Sequence, residues 1–173
     1  RPYNFHEGVL LMELVADDEG NAAPRLNDVE FTPEDAADLH ARLIREVVRM
    51  LSAGVVHGDL SEFNILLGAD GPVIIDLPQA VDAAGNNHAQ AMLARDVNNL
   101  RTYFGQFAPV LLTTQYAQEI WALYEHGKLH PETELTGHYE CTLPEIDLEG
   151  VMREIDDARE AEAARLLRSQ ELM

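Results

Sequence analysis

Two short apolar runs in the middle of the chain, each with a polar residue at its outer end, restrict how this sequence can fold. The runs are Asn64-Ile-Leu-Leu67 and Val73-Ile-Ile75, and Gly68-Ala-Asp-Gly71 separates them. Apolar runs of this length around a glycine-containing connection are typical of a β-hairpin, here with a longer turn. Such a hairpin would bring Asn64 and Asp76, the polar residues at its open end, next to each other.

Helical patterns dominate the rest of the chain. Thr32 can cap a helix that begins at Pro33, and apolar residues then recur every three or four positions until Gly54 provides a stop. This pattern predicts a helix over residues 33–53. Three further helices are predicted, over residues 86–104, over residues 115–126 and from Asp147 onwards.

Strand-like segments are few. Residues 8–15 are a β-type apolar segment, which we expect to have no hairpin partner before it, and residues 16–31 have the composition of a loop. Val55 and Val56 form another short strand-like segment. The sequence therefore predicts an α+β fold that is mostly helical and carries one small hairpin.

Composition excludes several classes of function. Twelve Lys and Arg against 31 Asp and Glu give the 173 residues a formal charge of −19, whereas binding to nucleic acid or anionic membranes draws on a surplus of basic residues. The single cysteine, Cys141, excludes an intramolecular disulfide and a cysteine-rich zinc site, and no apolar run approaches the length of a membrane span. We therefore expect a cytoplasmic protein that binds neither nucleic acid nor membranes.

The block His57-Gly-Asp-Leu-Ser-Glu-Phe-Asn64, together with Asp76, carries residue types that suit phosphoryl transfer. That chemistry needs a carboxylate to orient or deprotonate the attacking hydroxyl, and oxygen ligands that hold Mg²⁺ against a polyphosphate. Asp59 is the candidate base, and Asn64 and Asp76 are the candidate metal ligands. A single Asp in a turn is more often a cap or a solvated acid, but the joint spacing favours the catalytic interpretation. His57 is interpreted as structural.

Four separated segments resemble the RIO family of atypical serine/threonine kinases. They are Leu11-Met-Glu-Leu-Val15, the block from His57 to Asn64, Ile75-Asp-Leu-Pro-Gln-Ala-Val81 and Arg95-Asp-Val-Asn-Asn99. The second and third segments stand where protein kinases carry H-R-D-x-x-x-x-N and D-F-G, with Gly58 in place of the arginine. The resemblance covers residues 8–107 and implies a protein-kinase-like C-terminal lobe, with a helical C-terminal extension over residues 108–173.

The resemblance also implies roles for individual residues. Asp59 would be the catalytic aspartate, while Asn64 and Asp76 would hold Mg²⁺ or Mn²⁺, with Asp76 also a candidate acceptor of phosphate from ATP. Asp96 would brace the catalytic loop from the helix beneath it. The residues that would bind the adenine of ATP lie on the hinge and on the floor of the pocket, and they are Met12, Glu13, Val15, Leu66 and Ile75.

Parts of a kinase are missing from this sequence. It has no Gly-rich phosphate loop, no strand lysine for the α- and β-phosphates, and no helix glutamate to pair with that lysine. We therefore interpret residues 1–15 as the hinge and last strand of a missing N-terminal lobe, and residues 16–173 as the C-terminal lobe. We expect this chain alone to be inactive. No long activation segment follows Asp76, so the protein substrate is not specified.

Two alternatives stay open. A small-molecule kinase of the aminoglycoside or choline phosphotransferase type also resembles His-Gly-Asp with a following Asn and an Ile-Asp strand, although Ser61-Glu-Phe63 and Leu77-Pro-Gln-Ala80 favour the RIO family. A non-catalytic nucleotide-binding scaffold would equally lack the phosphate lysine. The presence of Asp59, Asn64 and Asp76 together argues against the scaffold.

Overall fold

The structure is a computed structural model that describes residues 2–140. Its helices and strands follow in the order β1 (Pro2–His6), β2 (Val9–Met12), α1 (Pro33–Ser52), β3 (Val55–Val56), β4 (Ile65–Gly68), β5 (Gly71–Ile74), β6 (Val81–Asp82), α2 (Ala89–Gly105) and α3 (Tyr116–Glu125). Short 3-10 turns lie at Leu26–Asp28, Glu62–Asn64, Leu77–Gln79 and Pro109–Thr113. In the described residues the strands form three antiparallel pairs, β1–β2, β3–β6 and β4–β5.

Helix α1 begins where its capping signals lie. The Thr32 hydroxyl accepts a hydrogen bond from the Asp35 backbone N–H (3.2 Å), and Pro33 occupies the first turn. The helix ends at Ser52, one residue before the prediction, and Gly54 follows in the left-handed conformation with a φ of 80°. Local signals were therefore sufficient to define this helix.

The core lies where α1, α2 and α3 pack together. Leu43 and Leu51 of α1, Leu100 and Phe104 of α2 and Ile120 of α3 are fully buried. None of the helices in residues 2–140 combines the length and the apolarity that a bilayer crossing requires. The helix predicted from Asp147 onwards lies outside the described residues.

Helix α2 starts three residues later than predicted. The side chain of Asn86 accepts a hydrogen bond from the His88 N–H (2.8 Å), and its carbonyl accepts one from the Ala89 N–H (3.0 Å). This local turn competes with helical bonding, as Asn side chains commonly do. Helix α3 is one residue shorter at each end than predicted.

The first strand segment has a partner, so the expectation that none precedes it is wrong. Strand Pro2–His6 pairs with Val9–Met12 in an antiparallel hairpin. Glu7 and Gly8 form its turn with φ values of 49° and 81°. A two-residue turn with both φ values positive matches the twist of the flanking strands, and Gly8 makes it sterically inexpensive.

The predicted hairpin is present, but its strands, Ile65–Gly68 and Gly71–Ile74, differ from the predicted runs by one or two residues at each end, and its turn is shorter. Gly68 pairs directly with Gly71, so only Ala69 and Asp70 connect the strands. The expectation of a longer turn is therefore wrong, since the two glycines belong to the ladder.

His40 is a buried histidine on α1. It is 1% exposed, and its ring lies 5.7 Å from the rings of Phe104 and Tyr116. Among residues 2–140 its Nε2 has no hydrogen-bond partner. Burial lowers the pKa of His40 from 6.5 to about 4, because the imidazolium would lose its hydration inside the core. His40 is therefore a neutral packing residue at physiological pH.

We expect the free energy of unfolding to fall as the pH decreases from about 6.5 to about 4, by up to about 3 kcal/mol in total. Over this range the unfolded chain binds a proton at His40 and the folded chain does not. Urea unfolding at a series of pH values should show a smaller pH dependence in His40→Leu than in the unsubstituted chain. Equal pH dependence in the two proteins would contradict this account.

Candidate active site

Residues 57–64, called here the catalytic loop, leave β3 and end in the 3-10 turn Glu62–Asn64. His57 is 1% exposed and joins this loop to the end of β5. Its Nδ1 accepts the backbone N–H of Asp59 (3.3 Å), so its Nε2 carries the proton and donates to the Ile75 carbonyl (3.0 Å). Both ring nitrogens are thus used in backbone contacts, which agrees with the structural interpretation of His57.

The structure brings the segments of Asp59, Asn64 and Asp76 together. The Asn64 side-chain amide donates to the Asp59 carbonyl (2.9 Å). The backbone N–H of Ile75 donates to the Asn64 carbonyl (3.0 Å), one step beyond the Ile65–Ile74 pair of the hairpin. Asp76 therefore leaves the hairpin at the end where Asn64 enters it.

Asp76 has an unusual backbone conformation, with φ 67° and ψ 60°. A non-glycine residue in the left-handed region costs on the order of 1 kcal/mol and persists where the surrounding structure holds it, often at functional sites. The 3-10 turn Leu77–Gln79 follows at once. The Asp76 side chain is exposed, and within residues 2–140 its carboxylate accepts no hydrogen bond.

A cavity of about 530 Å³ opens between the segment that follows β2 and the end of the hairpin. Its lining includes four of the five residues predicted to bind adenine, together with the predicted metal ligand Asp76; the four are Met12, Glu13, Val15 and Ile75. Leu66 does not line it, although Val73, its partner across the β4–β5 ladder, does.

Asp96 of α2 holds the backbone on both sides of Asp59. It is 1% exposed and accepts hydrogen bonds from the N–H groups of Gly58 (2.7 Å) and Leu60 (3.0 Å). Burial raises the pKa of Asp96, and these two hydrogen bonds oppose the rise. The brace predicted for Asp96 is thus present as a pair of buried hydrogen bonds.

Residues 1–117 match the family model described as RIO domain. The chain belongs to the RIO family. Among its relatives are the serine/threonine-protein kinase RIO3 of Caenorhabditis elegans, 36% identical over 66% of this chain and 23% of the relative, and the RIO-type serine/threonine-protein kinase Rio2 of Methanocaldococcus jannaschii, 39% identical over 61% of this chain and 38% of the relative. This chain therefore spans well under half the length of these relatives.

The structure resembles that of a solved RIO kinase. The crystal structure of the Rio2 kinase-ADP/Mg²⁺-phosphoaspartate complex from Chaetomium thermophilum matches with a TM-score of 0.50 and 32% identity, over 61% of this chain and 32% of that one. The family resemblance drawn from the sequence segments is confirmed.

The geometry of the catalytic loop explains why glycine stands at position 58, where the sequence resemblance places the kinase arginine. Gly58 has a φ of 82°, and a Cβ added there would lie 2.9 Å from the Gln79 carbonyl oxygen. Any side chain at this position would therefore be strained and would meet backbone.

Sequence reasoning missed two residues of this site. The Arg95 guanidinium donates to the Gly58 carbonyl, and the Asn99 amide donates to the Leu60 carbonyl (3.0 Å). Both belong to the segment from Arg95 to Asn99, in which the family resemblance implies a role only for Asp96. Their spacing of four residues puts them on the same face of α2, and this spacing was the available signal.

Proposed function

We propose that residues 16–140 belong to the C-terminal lobe of a RIO-type serine/threonine kinase or ATPase that transfers the γ-phosphate of ATP. The observation that carries this proposal is Asp59 in a loop bound to α2 and linked through Asn64 to the Asp76 end of the hairpin. Relatives named as serine/threonine kinases support the proposal, as does the Rio2 structure that contains ADP and Mg²⁺.

In this mechanism Asp59 is the general base. Its carboxylate takes the proton of an attacking hydroxyl while the hydroxyl oxygen bonds to the γ-phosphorus, and the bond from that phosphorus to the bridging oxygen breaks to release ADP. The hydrogen bonds on either side of Asp59 contribute by fixing where its carboxylate stands before reaction.

Asn64 and Asp76 are the proposed metal ligands. The Asn64 amide nitrogen is used by the Asp59 carbonyl, which leaves its amide oxygen as a ligand, and the Asp76 carboxylate is exposed. Hard oxygen ligands of this kind suit Mg²⁺, which commonly keeps several waters and binds phosphate oxygens as well. When bound, the metal would offset the negative charge of the polyphosphate beside these acids.

Asp76 is also the proposed acceptor of phosphate when the domain acts as an ATPase. The relative from Chaetomium thermophilum is a phosphoaspartate complex. An oxygen of the Asp76 carboxylate would bond to the γ-phosphorus with release of ADP, and water would then cleave the acyl phosphate to inorganic phosphate.

The adenine is proposed to enter the cavity beside Asp76. The backbone of Glu13 and Val15 would pair with the base, Met12 would lie behind it, and Ile75 would contact its face. The assignment of Leu66 to the floor has less support, because Val73 and not Leu66 lines this cavity.

The β1–β2 hairpin is proposed to belong to an N-terminal lobe. Phe5 and Val9 are 68% and 69% exposed, and every residue of both strands is exposed. An isolated two-stranded hairpin is at best marginally stable, so these strands are suited to join a larger sheet. That lobe would supply the phosphate-binding lysine, since Lys128, the one lysine of the 173 residues, follows α3.

The coding sequence upstream of Arg1 provides the test. A Gly-rich loop followed by a strand lysine would define a protein with both lobes, called here the two-lobe protein. We expect Mg²⁺-dependent ATP turnover by the two-lobe protein, and weak ATP binding with little or no turnover by the 173-residue chain. Turnover by the chain at the rate of the two-lobe protein would show that the phosphate-binding groups are misplaced. No turnover by either protein would contradict the proposed activity.

Metal binding gives a separate prediction. In crystals of the two-lobe protein soaked with Mn²⁺ and a non-hydrolysable ATP analogue, we expect an ion about 2.0–2.6 Å from oxygens of both Asn64 and Asp76. Asp76→Ala should weaken Mn²⁺-dependent binding of the analogue in calorimetry by about tenfold or more, and the exposed α1 control Asp38→Ala should not. An ion that contacts neither side chain would refute the assignment.

A further inference from the structure

We infer that Gln79 is a positioning residue for Asp59. The absence of a side chain at Gly58 allows the Gln79 side chain to reach the Asp59 carboxylate. The inference rests on the proposed function, in which Asp59 is the general base. The Gln79 side-chain amide Nε2 donates to Asp59 Oδ2 at 3.4 Å. Hydrogen bonds at catalytic groups are often long before substrate binds, and they shorten in the reactive complex.

The register of β3 and β6 explains why these two residues meet. Val56 pairs with Val81 in an antiparallel ladder. Gly58 follows Val56 by two residues and Gln79 precedes Val81 by two, so both lie beyond the same end of this ladder. A Cβ at Gly58 would lie 2.9 Å from the Gln79 carbonyl oxygen, so the two backbones stay close together beyond the ladder. Asp59 is the next residue, within reach of the Gln79 side chain.

Both ends of the segment that carries Gln79 are held. At one end Asp76 leaves the hairpin in the left-handed conformation, and the 3-10 turn closes with a hydrogen bond from the Ala80 N–H to the Leu77 carbonyl (2.9 Å). At the other end Val81 is paired in β6. Gln79 therefore reaches Asp59 from a backbone that is fixed on both sides.

The contact has a specific chemical use. Asp59 offers two carboxylate oxygens, and the Gln79 amide engages Oδ2. With one oxygen occupied by a neutral donor, the carboxylate is held in one orientation and Oδ1 is left for the proton of the attacking hydroxyl. The same short segment carries Asp76, so the proposed metal ligand and the group that orients the base lie three residues apart in the chain.

The first test uses the 173-residue chain and does not depend on activity. In a ¹⁵N-labelled sample, the side-chain amide signals of Gln79 are assigned by their loss in Gln79→Met. We expect Asp59→Ala to move the Gln79 amide proton signals upfield, because the charged acceptor is lost, and to leave those of the exposed α3 residue Gln118 in place. Unmoved Gln79 signals would overturn the inference.

The second test measures kinetics of the two-lobe protein. Gln79→Met, which keeps the length of the side chain and removes the donor, should lower kcat by about tenfold while the KM for ATP stays within about twofold. An unchanged kcat in Gln79→Met would overturn the positioning role.

The two tests separate this inference from the proposed function. If Asp59→Asn leaves turnover intact, the proposed function fails while the amide signals still report the contact between Gln79 and Asp59. If Asp59→Asn abolishes turnover but Asp59→Ala leaves the Gln79 amide signals in place, the inference fails and the proposed function stands.

Discussion

Asp59→Asn in the two-lobe protein is expected to lower kcat for ATP turnover by roughly 10²–10⁴-fold and to change the KM for ATP little. The amide keeps the size of the side chain and its contacts, but it cannot take the proton of the attacking hydroxyl. Steady-state assays of ADP release over a range of ATP concentrations give both constants. The loss should appear in kcat because a general base acts in the transition state.

Asp38→Asn is the matched control for this prediction, since Asp38 is an exposed acid on α1 far along the chain from the catalytic loop. Its kinetics should equal those of the unsubstituted protein. A nearly unchanged kcat in Asp59→Asn would contradict the general-base role. Asp59 would then be an ordinary loop acid without a catalytic function.

Asp96→Ala is expected to lower the free energy of unfolding by about 2–5 kcal/mol. The substitution leaves the buried N–H groups of Gly58 and Leu60 without their acceptor, and burial keeps water from replacing it. Asp96→Asn should be less destabilising, because its carbonyl oxygen still accepts one of the two bonds and the cost of burying a charge is removed. Urea denaturation of the 173-residue chain measures both variants.

The exposed control Asp38→Ala should change the free energy of unfolding by no more than about 0.5 kcal/mol. If Asp96→Ala does not fold well enough to be measured, the comparison of the free energies of unfolding of Asp96→Asn and Asp38→Ala still tests the contribution of the Asp96 hydrogen bonds. Equal stability of Asp96→Asn and Asp38→Ala would show that these hydrogen bonds contribute little.

The elements that the sequence predicted well are those with local signals. Helix α1 follows from Thr32 and Pro33 at its start and from the regular spacing of its apolar residues. The hairpin of β4 and β5 follows from two apolar runs with a short connection. In both cases the interactions that define the element join residues close in the chain, so a local pattern carries the information.

The errors arise where a pairing depends on backbone geometry more than on side-chain pattern. The turn at Glu7 and Gly8 lacks the most recognisable turn dipeptides, so the β1–β2 hairpin was missed. Glycine is usually a turn residue, so the sequence pattern predicts Gly68 and Gly71 in the turn, yet they pair across the ladder. Neither error affects the open end of the β4–β5 hairpin, where Asn64 and Asp76 lie as predicted.

By itself, the sequence determined the family and the residue types that can perform phosphoryl transfer, because the segments around Asp59 and Asp76 are distinctive even when read in isolation. The tertiary structure alone decided what holds these residues in place. The hydrogen bond from Gly58 to Asp96 spans 38 residues, and the one from Gln79 to Asp59 spans 20. These contacts depend on the packing of α2 on the core and on the pairing of β6 with β3. No local sequence pattern links the partners, so only the folded chain shows that they meet.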